Sequence, residues 1–60
     1  MVTYTVTIGY FEGVTLKTLV VEIKANSQTD AYIMGASKAY AMFAGTECVL
    51  TTLSVAAPTP

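Results

Sequence analysis

Residues Val2 to Ile8 alternate large apolar side chains with threonine, Val2, Tyr4, Val6 and Ile8 against Thr3, Thr5 and Thr7. A period of two held over seven residues defines a β-strand with two unlike faces. No charged side chain interrupts the chain before Glu12, which suits a strand flanked on both sides. The remaining segments are then constrained to pair with this strand or to cover its apolar face.

The next segment reads as the partner strand. Glu12-Gly13 predicts a two-residue hairpin turn, with glycine supplying positive φ, and a longer loop that includes Phe11 or Val14 is the alternative. In that register opposed residue numbers sum to 25, so Val6 faces Leu19, Tyr4 faces Val21 and Val2 faces Ile23. The second strand spans about Thr15 to Lys24, and its charges Lys17, Glu22 and Lys24 predict an edge position. Asn26 to Asp30 is a helix start, with Ser27 as N-cap and Asp30 three residues on, near the positive end of the helix dipole. The helix is expected to run to about Ala44 and stop at Gly45. Its inner row is small, Ala31, Gly35 and Ala39, continued by Met42 and flanked by Tyr32 and Phe43. Glycine inside a helix costs about 1 kcal/mol relative to alanine, and close approach of the helix to the sheet compensates for it.

A last strand covers about Glu47 to Val55. Its inward face stays open, because Val49, Leu53 and Val55 compete with Cys48 and Leu50. A helix between two strands of one sheet commonly joins parallel strands. The third strand then adds to the free side of the first, giving a sheet of order 2-1-3. The expected fold is α+β: a three-stranded ββαβ unit with one helix on one face, a single domain over residues 1–55, and a loose tail over 56–60.

A hairpin ending in Val21-Glu22-Ile23-Lys24, then Ala25-Asn26-Ser27, then a helix with a small residue at every fourth position resembles a loose class of very small ββαβ proteins and modules. That class is common in bacteriophage and mobile-element genomes. The resemblance covers nearly the whole chain and implies a fold, without a shared active site. It also implies an accessory protein that acts by contact. The chain departs from the usual pattern in having few Glu and Lys on the helix, which points to a covered helix.

Composition narrows the function. Sixty residues with one cysteine and no histidine exclude an internal disulfide and lack the commonest transition-metal ligand. Chains this short need some other staple, or self-association, to reach a few kcal/mol of stability. Here 53% of residues are hydrophobic and 12% charged, where about 25% charged is usual. Such a surface is expected to meet a partner. With three lysines, no arginine and a net charge of −1, the chain lacks the phosphate-neutralising groups of nucleic-acid binders. A small nucleic-acid-binding regulator is the alternative, resting on aromatics Tyr4, Tyr10, Phe11, Tyr32, Tyr40 and Phe43 as stacking groups. Tyr4 and Tyr10 face the helix in this register, which weakens that alternative. The apolar stretch Ala31 to Ala44 contains Lys38 and is too short to span a bilayer, and the first residues read as a strand and not as a signal peptide.

For chemistry, Glu12, Glu22 and Asp30 fall in a turn, on the outer face and at a helix cap, and Glu47 opens the last strand. They form no catalytic pair. Cys48 has no histidine base and reads as a strand residue. No catalytic residue, metal site or cofactor is expected. What remains are apolar residues without a place in the core: Phe11, Val14, Leu16 and Val20 on the back of the sheet, and alternatively Ile33, Met34 and Tyr40 on the helix flank. The expectation is a non-enzymatic protein that forms homo-oligomers, a dimer most simply, and binds an unidentified protein. It would act in the cytoplasm of a host cell or in association with a virion.

Overall fold

The computed structural model describes residues 1–57. Strands β1 (Val2–Glu12) and β2 (Thr15–Ala25) form a hairpin, helix α1 (Gln28–Phe43) follows, and β3 (Cys48–Ala56) returns to the sheet. The sheet order is β2-β1-β3, and β1 is antiparallel to both neighbours. The two edge strands are therefore parallel to each other, joined by α1. This is the α+β ββαβ arrangement that the alternation and the capping pattern predict. β3 takes in Ala56, one residue past the expected domain boundary at Val55; of the expected tail, residues 58–60 lie outside the described residues.

The hairpin register differs from the expected one by two residues. Val6 pairs with Val21, Ile8 with Leu19, Phe11 with Leu16 and Glu12 with Thr15, so the turn is Gly13-Val14 and not Glu12-Gly13. Gly13 has φ +63° and Val14 lies outside the positive region, the combination of a type II′ hairpin turn. A two-residue shift leaves every side chain on its original face, so the face pattern alone fits both registers. Lys17 separates them. In the expected register it opposes Ile8, which is fully buried beneath the helix; in the observed one it opposes Tyr10 and reaches Glu12. Val14 accordingly sits at the exposed tip of the turn, not on the back of the sheet.

The helix begins where the sequence predicts. The Ser27 hydroxyl accepts the backbone N–H of Asp30 at 3.1 Å. At the other end Gly45 has φ +74°, and the Phe43 carbonyl accepts both the backbone N–H (3.1 Å) and the hydroxyl (2.7 Å) of Thr46. Ala31, Gly35 and Ala39 form the buried row. A Cβ at Gly35 would stand 2.9 Å from Val6 Cγ1 and 3.5 Å from Ile23 Cδ1, so the helix backbone rests directly on the sheet. The row continues into Phe43, whose ring lies 4.7 Å from that of Tyr10, whereas Met42, expected to extend it, is exposed. From Ala39 a step of four residues reaches Phe43, and 42 lies off the line. The core is Val6, Ile8, Ile23, Ala25, Ala31 and Ala39. Tyr4, Tyr10, Leu19, Val21, Leu50, Leu53 and Val55 pack around it.

β3 answers the open question of its inward face by using both sets. Gly9 pairs with Thr52 and Tyr10 with Leu50, which leaves Thr51 as an extra residue, a β-bulge. Before the bulge Cys48 and Leu50 turn toward the helix side; after it Leu53 and Val55 do. The Thr51 hydroxyl donates to the Gly9 carbonyl at 2.9 Å. Gly9 is required by this geometry, since a Cβ there would collide with Thr52 Oγ1.

Two stability predictions result. Gly35→Leu is expected to destabilise by about 1–3 kcal/mol through overpacking on Val6, a melting-temperature loss of several degrees for a chain of this size, while Lys38→Ala stays within about 0.5 kcal/mol of the parent. Thermal melts of both variants check this. Gly9→Ala is expected to lower the urea midpoint, and Thr52→Ala, which removes the colliding oxygen, to restore most of it. A double-mutant cycle reads the coupling directly, and additive effects would contradict the collision.

Candidate interaction surface

The helix covers one face of the sheet and leaves the other bare. Sixteen helical residues span about 24 Å, against about 36 Å for the eleven residues of β1. With Phe43 over Tyr10, the hairpin tip projects past the helix C-terminus. Strand pairing lays out the bare face in rows. Nearest the turn lie Leu16, Phe11 and Val49; the next row is Thr18, Gly9 and Thr52, and then come Val20, Thr7 and Ser54. Glu22, Thr5 and Ala56 follow, with Lys24 and Thr3 at the far end. Leu16, Val49 and Val20 are 63%, 62% and 58% exposed, and Phe11 40%.

Three of the four back-face residues singled out from the sequence, Phe11, Leu16 and Val20, thus share one surface, while Val14 stands apart at the turn. Val49 completes the first row. Sequence reading missed its role because the bulge breaks the alternation of β3; the sole signal was the surplus of apolar residues in that strand, too many for one face of an unbroken period. The helix-flank group is also exposed, Tyr40 at 66% with Ile33 and Met34 about half. Ile33 and Met34 border a shallow hollow with Met1, Lys24 and Asp30, and Tyr40 borders another with Phe43, Cys48 and Val49. The two hollows lie at opposite ends of the helix.

Reactive chemistry is sparse. Lys17 Nζ donates to Glu12 Oε1 at 2.6 Å across the hairpin, both side chains about half exposed. The hydrogen bond and charge of Lys17 hold the Glu12 carboxyl below its ordinary value, and Glu12 holds the Lys17 ammonium above its own. Cys48 Sγ lies 3.8 Å from Glu12 Oε2, facing it across β1 and β3. No group of three or more His, Cys, Asp or Glu residues that could hold a metal occurs among the described residues, and no buried side-chain polar atom among them lacks a hydrogen-bond partner. Phe11 is the single aromatic residue on the bare face, while Tyr4 and Tyr10 pack against the core. No helix among the described residues is long and apolar enough to cross a membrane.

No protein-family model, curated protein or solved structure matches the chain.

The ion pair at the hairpin tip gives a directional prediction. A depressed carboxyl value contributes stability above the unfolded-state value and loses it as pH falls through the folded value. Lys17→Met is expected to move the Glu12 midpoint upward toward 4.5, which carboxyl-carbon NMR titration measures. An unchanged midpoint would show that the pair does not persist in solution.

Proposed function

We propose that this chain is a non-enzymatic interaction protein that self-associates, most simply as a symmetric dimer, and binds a second protein in that form. The observation carrying this reading is the bare sheet face, with Leu16, Phe11 and Val49 in one row and Val20 beyond it. A thin core supports it further, since Val6 and Ile8 are the only large side chains fully buried among the described residues. Burying about 400 Å² of apolar surface is worth on the order of 10 kcal/mol before association costs, which is comparable to the whole stability of a small domain. The resemblance to very small phage-type ββαβ modules supports an accessory role. The chain would act as an inhibitor that masks a surface of a host or defence protein, or as a small component of a particle. Its place is accordingly the host cytoplasm or the virion.

Sedimentation equilibrium of the untagged protein at micromolar concentration tests self-association. The expected result is a dimer that Leu16→Lys dissociates and Tyr40→Lys leaves intact. The reverse pattern would move the interface to the helix flank, and a well-folded monomer would overturn the reading.

A further inference from the structure

We infer that the occupant of the bare sheet face is a second copy of this chain, stacked with its strands aligned, so that the two-fold axis runs along β1 and the two hairpin turns lie at the same end. This rests on the proposed self-association and adds its geometry. The first argument is the gradient of polarity along the face. Its turn end is apolar, with Leu16, Phe11 and Val49; its far end carries Glu22 and Lys24, both on the edge strand β2. A two-fold axis parallel to the strands lays each row over the same row of the other copy. Phe11 then meets the partner's Phe11, Leu16 meets the partner's Val49, and Glu22 and Lys24 remain at a corner where they reach water. An axis across the strands would lay Leu16 on the partner's Lys24 and Phe11 on the partner's Thr3, burying charge against hydrocarbon.

Area is the second argument. Three strands at about 4.8 Å spacing and eleven residues at about 3.3 Å rise give a footprint on the order of 500 Å². Two such faces together cover about 1,000 Å², the lower bound of a specific interface. A single peptide laid along the row would cover Leu16, Phe11 and Val49 and leave Val20, two rows on, wet. A second copy matches the face in length, width and polarity at once.

The turn residue Val14, 96% exposed and off the face, carries a spin label without disturbing the contact. In a Val14→Cys, Cys48→Ser background, pulsed electron resonance on the dimer is expected to give an inter-label distance under about 25 Å, because aligned copies bring their turns together across sheets about 10 Å apart. A distance above about 35 Å, one strand length, would overturn the aligned arrangement while leaving self-association standing. A monomer by sedimentation would remove both. Loss of the short distance in Leu16→Lys, with its retention in Tyr40→Lys, is expected if the contact is the sheet face; a short distance that survives Leu16→Lys would overturn the assignment to that face.

Discussion

The near-contact between the helix backbone at Gly35 and the side chain of Val6 sets the dimensions of the molecule. With no side chain between them, α1 lies low on the central strand, and six small or aliphatic residues suffice to make a dry interior. The same closeness limits how much that interior can contain. A taller row on the helix would hold it farther from the sheet and admit larger side chains, burying more surface per residue. This chain instead places much of its hydrophobic content elsewhere, on the hairpin tip, the bare sheet face and the helix flanks.

The length mismatch between helix and hairpin gives that displaced content its location. The strands run on beyond the last helical turn, and Phe43 stacked on Tyr10 marks the boundary. Past it the two sides of the hairpin differ. On the helix side Glu12 and Lys17 form a solvated pair; on the other, Phe11 and Leu16 lie side by side as an aromatic–aliphatic cross-strand pair. The bulge in β3 adds Val49 to that row while still bringing Leu53 and Val55 under the helix. One extra residue, Thr51, thereby lets a single short strand serve two surfaces.

Most of the architecture is legible in the sequence because its signals are local. The alternation of β1, the Ser27 cap, the stop at Gly45 and the four-residue row of the helix each depend on residues close together in the chain, and each matches the structure. The strand order follows from them by topology alone. The turn's register is not legible by face pattern, because a two-residue slip preserves both faces; the place of Lys17 relative to buried Ile8 distinguishes the registers, and the observed turn does include Val14. Met42, expected at the end of the inner row, is exposed, and Phe43, four residues on from Ala39, takes that place. Of the bare face, Phe11, Leu16 and Val20 were legible by parity. Val49 was not, since a bulge reverses parity and the bare backbone of Gly9 that accommodates it lies some forty residues away on another strand.

The two edges of the sheet also differ in kind. β2 carries Lys17, Glu22 and Lys24, whereas β3 from Cys48 to Ala56 carries no charge. Charged edges resist the addition of another strand, and uncharged ones invite it. β3 answers that exposure by shape: the bulge at Thr51 interrupts its regular backbone, and the Gln28 side-chain amide donates to the Val55 carbonyl at 2.9 Å. Each edge thus carries its own obstacle to another strand, charge on β2 and a kinked, partly capped backbone on β3.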